Sequence, residues 1–213
     1  MQRFDKAFSS ACAKLARAAS QTMQDMAIRA LPEEPTITAA LVTRWRDALN
    51  GYSAYGIGWS ARILSSLGPH TEESKFGADF LGVLKLDLPN YAITKGFLAQ
   101  AKCQEPGSRL SRKEWDRLKD QCEKMLALSA ESFVFVYSLN GVFMLPAINV
   151  LACSTAEDLH TLHPRRTSPF YKEHFHCFIG ERRIDSTAPD LLEGLSVRRG
   201  LEISAVLKGQ LRE

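Results

Sequence analysis

No stretch of this 213-residue sequence is apolar over the length of a membrane-spanning helix, and its first residues lack the apolar centre of a secretory signal. The expectation is a chain that neither enters a membrane nor is exported. The five cysteines (Cys12, Cys103, Cys122, Cys153 and Cys177) are odd in number and widely spaced, without a CxxC pair. That argues against a disulfide framework and for a reducing, cytoplasmic setting. There is no G-x-x-x-x-G-K-[ST] loop and no G-x-S-x-G turn, which sets aside P-loop nucleotide hydrolases and serine hydrolases of that type. Internal repeats and low-complexity segments are also missing. Neither sign of charge dominates: 27 basic against 24 acidic residues leave a formal +3. Such a balance permits a nucleic-acid partner without demanding one.

What is present is ordinary globular material, with 45% hydrophobic and 24% charged residues, enough for a single domain with a sizeable core. Phe4, Phe8, Cys12, Leu15, Met23 and Met26 recur at helical steps across residues 3–30. After Pro32 and Pro35, Thr36 or Thr38 reads as the cap of a second helix carrying Leu41, Val42, Trp45 and Leu49, closed by Asn50-Gly51. A third helical stretch is expected from Trp59 to Leu67, ended by Gly68-Pro69. Residues 80–86 and 91–101 read as paired strands about Pro89-Asn90. Ser111 and Glu114 form a capping-box pattern ahead of a helix with Trp115, Leu118, Cys122 and Met125 on one face. Two further strands, 132–137 and 142–145, flank an Asn140-Gly141 hairpin signal. The remainder reads as a helix around Ile148–Ala152, with short strands at Cys177–Gly180 and Leu201–Ser204. The order implies an α/β fold, a mixed sheet flanked by helices. The chain divides into an N-terminal helical region (1–58), a core (59–147) and a C-terminal α/β extension (148–213).

The residues with chemical promise lie in the core. Asp79 closes Gly77-Ala78-Asp79 at the entrance to a strand, and Gln100 and Lys102 lie near the end of its partner. Being two apart, Gln100 and Lys102 share one strand face, while Ala101 faces the other. Metal-assisted phosphodiester cleavage needs hard oxygen donors for Mg²⁺ and a nearby lysine to offset developing charge. Adjacent strands are a rigid platform for such a set.

The run Glu72-Glu73-Ser-Lys-Phe-Gly77-Ala-Asp79, then a hydrophobic hairpin, then Gln100-Ala101-Lys102, resembles the PD-(D/E)XK nucleases, the restriction-endonuclease-like superfamily, in a variant with Gln at the first position of the last motif. The resemblance spans about residues 60–147 and implies a restriction-endonuclease-like central sheet with an N-terminal helical extension. It implies Asp79 as central metal ligand, the Gln100 amide oxygen and Ala101 carbonyl as further ligands, and Glu72 or Glu73 as the upstream acid. Lys102 is then the catalytic amine. Mg²⁺, with Mn²⁺ as substitute, is the implied cofactor. The branch related to RecB-type nucleases carries Q-x-x-x-Y on the helix after the lysine. Here Gln121 is followed by Met125 in the tyrosine place, and Gln121 would look into the site. The expected function is a metal-dependent nuclease acting on DNA, working as a homodimer or with a protein partner that supplies targeting, in a defence, restriction or mobile-element setting. The alternative is a nucleic-acid-binding or assembly protein that keeps the fold without cleavage.

Other residue sets are weaker. Gly56-Ile57-Gly58 through Ala61 matches a dinucleotide fingerprint loosely, but no strand is expected before it. His163, His174, His176 and Cys177 lack the paired short spacings of a zinc site. His174 and His176 read as outward residues of an extended segment. Arg165-Arg166, Arg182-Arg183 and Arg198-Arg199 could meet phosphates, yet acids such as Glu173 and Glu181 lie among them.

Overall fold

Helical periodicity and proline placement set the first layer. In the computed structural model, which describes residues 2–31, 33–64, 77–185 and 199–208, the chain opens with α1 (Gln2–Ala27) and α2 (Glu34–Leu49). Ala7, Phe8, Ala11, Cys12, Leu15, Ala18, Ala19 and Met23 recur every three or four residues and are all buried. They pack against Ile37, Leu41, Val42, Trp45 and Leu49 of α2. The Trp45 indole N–H donates to the Leu15 carbonyl at 3.0 Å, so the ring is buried without a stranded donor. α2 starts earlier than its threonines suggest. Glu33 holds the cap position, and Pro35 lies in the first turn, where its missing N–H leaves no intrahelical bond unmade. Thr38 is one turn inside, and its hydroxyl donates to the Glu34 carbonyl at 2.9 Å.

The helix expected from Trp59 is a strand. After β1 (Ser53–Ala54), β2 runs from Ile57 to Leu64. Ile57, Trp59, Ala61 and Ile63 alternate onto one face and join the core beneath α1 and α2. β3 (Phe80–Leu88) and β4 (Tyr91–Cys103) form the expected hairpin, with Asn90 at φ 60° in its turn. The capping box is present: the Ser111 side chain accepts from the Glu114 amide and the Glu114 side chain accepts from the Ser111 amide, opening α3 (Arg112–Leu128). The hairpin about Asn140-Gly141 joins β5 (Ser132–Ser138) to β6 (Gly141–Pro146), followed by α4 (Ala147–Leu151).

β7 (Arg165–Arg166) leads into α5 (Thr167–Phe175), and β8 spans Arg199–Leu207. Two readings of this part need correction. Cys177–Gly180 is no strand: Cys177 has φ 65°, and the segment turns out of the C-terminus of α5. His174 is not on an extended segment either. It lies on the apolar face of α5, wholly buried.

The strands form one sheet in the order β1-β2-β8-β3-β4-β5-β6-β7. β3 pairs in parallel with β8 and β4 with β5, while the other neighbours are antiparallel, so the sheet is mixed. Helices cover both faces, as an α/β fold requires. α1, α2 and α5 bury one face against Phe80, Phe97, Phe135 and Ile203, among others. α3 and α4 bury the other against Leu81, Val83, Leu98, Val134 and Val136. No helix among the described residues is long and apolar enough to cross a membrane.

Candidate functional site

Strand alternation decides which side chains meet. Ala99 and Ala101 of β4 belong to the core under α1 and α2, so Gln100 and Lys102 project to the α3 face. Asp79 immediately precedes β3. Its amide donates to the Ala99 carbonyl at 2.9 Å, which holds Asp79 against the end of β4, next to Gln100. The Gln100 side-chain amide donates to Asp79 Oδ2, and the Ala101 N–H reaches the same oxygen at 3.3 Å. Asp79, Gln100 and Ala101 therefore converge where two strand ends lie side by side.

Lys102 continues the same strand face. Its Nζ is 3.4 Å from Glu34 Oε1, and the other oxygen of Glu34 accepts the Cys103 N–H at 3.0 Å. Glu34 reaches this point from the first turn of α2. Burial pushes its pKa above the ordinary 4.5; Lys102 and the Cys103 amide pull it down, and the charge of Asp79 pushes it up again. Two carboxylates, Asp79 and Glu34, thus face one locus with one ammonium group between opposing demands. Glu34 was not singled out in the sequence. An acidic residue beside a proline in a helix's first turn is a common capping feature, and nothing near residue 34 ties it to residue 102.

Gly77 brings α3 into the same neighbourhood. It has φ 72°, and a Cβ there would stand 2.3 Å from the Gln121 carbonyl oxygen. Only glycine lets the chain enter β3 so close to the helix. Gln121 is thereby seated beside the approach to Asp79. Glu72 and Glu73 lie outside the described residues; the second carboxylate close enough to feel the charge of Asp79 is that of Glu34. Met125 is fully buried in the core beneath α3.

The donors present are two carboxylates, a side-chain amide and a backbone carbonyl, all hard oxygens of the kind Mg²⁺ or Mn²⁺ takes. The Gln100 Oε1 atom is buried and has no hydrogen-bond partner, and the same holds for Gln121 Oε1. Buried carbonyl oxygens without partners are uncommon, and that of Gln100 belongs to the side chain that bonds Asp79. The Gln100 Nε2 donates to the Ala101 carbonyl at 3.2 Å as well as to Asp79, so the residues fit a hard cation once the Gln100 amide turns over and presents its oxygen beside theirs. Among the described residues, no group of three or more His, Cys, Asp or Glu side chains gathers in a metal-binding arrangement, so the fit rests on the amide and carbonyl oxygens as much as on the acids.

The other sets are occupied elsewhere. The His174 Nδ1 bonds the Ile179 carbonyl at 3.0 Å, and burial drives its pKa down to about 3. Arg165 pairs with Glu173 at 2.8 Å, Arg183 with Glu181, and Arg166 lies over the Phe143 ring at 5.2 Å. Arg198 lies outside the described residues. All five cysteines are free thiols.

No protein-family model matches the chain, and neither the curated proteins nor the solved structures compared with it contain a match.

Proposed function

We propose that the chain is a metal-dependent nuclease of the PD-(D/E)XK, restriction-endonuclease-like type that hydrolyses phosphodiester bonds in DNA. The observation that carries the reading is the convergence of the Asp79 and Gln100 side chains with the Ala101 backbone at the paired strand ends, with Lys102 beside Glu34. Asp79, Glu34, the Gln100 amide oxygen and the Ala101 carbonyl would hold Mg²⁺ or Mn²⁺. When bound, the cation supplies Lewis-acid stabilisation of the charge that builds on the phosphoryl group.

The protein's own groups divide the remaining work. Lys102 is half-buried, so its ammonium acts where water screens it poorly and can stabilise an anionic phosphorane-like charge. Glu34 holds that ammonium in place before substrate arrives. Gln121, across the Gly77 approach, offers an amide to orient a phosphate or an attacking water. The paired strands keep these groups in register, so little reorganisation is left for the chemical step.

Incubating purified protein with supercoiled plasmid and Mg²⁺ or Mn²⁺ tests this. Cation-dependent nicking that Asp79→Asn abolishes is the expected result. DNA binding without any nicking, under either cation, would favour a fold kept for binding alone.

A further inference from the structure

Glu34 reaches the site from the first turn of α2 and not from a strand, so something must fix α2 against β4. Two buried hydroxyls lie at that junction. Tyr137 of β5 is 1% exposed, Thr38 of α2 is 5% exposed, and their oxygens are 3.0 Å apart. Thr38 has one hydroxyl proton, and it goes to the Glu34 carbonyl at 2.9 Å. Tyr137 must therefore be the donor to Thr38. The strand that carries Tyr137 also meets the site: Tyr137 is the parallel partner of Cys103, and its carbonyl accepts the Gln104 N–H at 3.0 Å. Glu34 is thus held twice. Its backbone carbonyl is tied through Thr38 to Tyr137, and its carboxylate is tied to Cys103 and Lys102.

Apolar packing does not require this arrangement. Ile37, Leu41 and Trp45 already bury α2 in the core, and a Phe–Val pair would fill the same space. Two hydroxyls in an apolar junction cost free energy unless paired, and their pairing has one geometry. Helices held by hydrophobic contact alone slide and rotate by fractions of an ångström; a hydrogen-bonded chain fixes the turn.

We infer that Tyr137 and Thr38 are positioning residues whose hydroxyl chain holds Glu34 over Asp79 and Lys102. The inference rests on the proposed site, but its first readout does not need metal or substrate. The Cys103 amide donates to the Glu34 carboxylate, so its hydrogen exchange reports whether Glu34 is seated. The full chain, Tyr137→Phe, Thr38→Val and Thr38→Ser are compared by amide exchange in NMR without metal, by Mn²⁺ titration calorimetry and by melting temperature. Tyr137→Phe and Thr38→Val are expected to speed exchange at Cys103 by about ten-fold or more. The β4–β5 ladder should keep its protection, and Mn²⁺ binding should weaken about ten-fold, as for loss of an outer-shell partner. Thr38→Ser, which keeps the hydroxyl, should retain wild-type values. Should one variant fail to fold, the other measures the same link from its opposite end. Wild-type Cys103 protection in both Tyr137→Phe and Thr38→Val overturns the inference, as does a uniform loss of protection along the ladder. Selective exposure of Cys103 in a protein that binds no Mn²⁺ even as wild type would uphold the positioning and overturn the nuclease reading.

Discussion

β4 carries two lysines with little access to water, and their surroundings differ in kind. Lys95 is 1% exposed and points to the α5 face, where its Nζ donates to the Ile179 carbonyl. Burial lowers its pKa, while Cys177 and Glu131 push the other way. The same carbonyl accepts from His174, and Glu131 accepts the Gly180 amide at 2.9 Å. Every partner of Lys95 is therefore either backbone or a group committed to holding the segment after α5. Lys102 points to the opposite face at the strand's end. Its partner is a carboxylate on a separate helix, and the neighbouring Gln100 oxygen has nothing to bond. A lysine closed in by fixed acceptors serves the fold. Lys102 instead meets a carboxylate that also feels the charge of Asp79, beside an unpartnered acceptor, the kind of perturbed cluster on which the proposed function rests.

Crossed substitutions should separate the two lysines sharply. Lys102→Met keeps length and apolar packing but removes the charge. Plasmid cleavage should fall by about 10²-fold or more, the scale seen when one preorganised charge-stabilising group is lost. The melting temperature should stay level or rise slightly. Lys95→Met should reverse this. Cleavage per folded molecule should persist, while loss of a buried charged hydrogen bond, about 1.5–3 kcal/mol, should lower the melting temperature by several degrees. Wild-type cleavage from a well-folded Lys102→Met protein would erase the distinction.

The next effect in size concerns Glu34. Glu34→Gln should weaken Mn²⁺ binding about ten-fold or more in calorimetry, since one hard anionic donor is removed. Its pH behaviour follows from the raised pKa. Protonation removes the ligand charge, so wild-type Mn²⁺ affinity should decline on acidification with a midpoint above 4.5. The same shift makes the folded state bind the proton more tightly than the unfolded chain. Glu34 therefore takes stability away as pH rises from 4.5 through its folded value. Glu34→Gln should flatten both trends. An unchanged acid limb in that variant would assign it to another group.

The smallest effect is a gain. Gln100→Glu places an anion where the amide oxygen stands and should preserve Mn²⁺ affinity or tighten it a few-fold. Abolished binding with the fold intact would show that position 100 is not a ligand.

Much of this was legible in the residues, because it depended on local pattern. The 80–103 hairpin announces itself by apolar strands around Pro89-Asn90, and Gln100 and Lys102 share a face by alternation alone. α3 is written into Ser111-x-x-Glu114 and four apolar positions. β2 was misread for a physical reason: Trp59, Ile63, Leu64 and Leu67 also fit helical steps, and the choice belongs to β8, which pairs with it along its whole length. His174 was misplaced because a nine-residue helix offers only two turns of pattern. Glu34 could not be found at all, since its role comes from where α2 starts and from a chain of contacts to β4 and β5.

The position of β8 bears on how the chain is made. Residues 199–207 lie between β2 and β3, parallel to the strand that Asp79 introduces. A ribosome that has released everything up to residue 198 has therefore produced two raw strand edges in the middle of the sheet, not a nearly finished fold. The hairpin bearing Asp79 and Lys102 stays unsupported on one side until the late strand slots in. Pairings of such long sequence separation fold slowly, and exposed edges invite the wrong neighbours. A chain truncated before residue 199 should accumulate as aggregates, with no latent cutting activity to release. If the proposed cleavage is borne out, that order of assembly keeps the site incomplete until synthesis has passed β8.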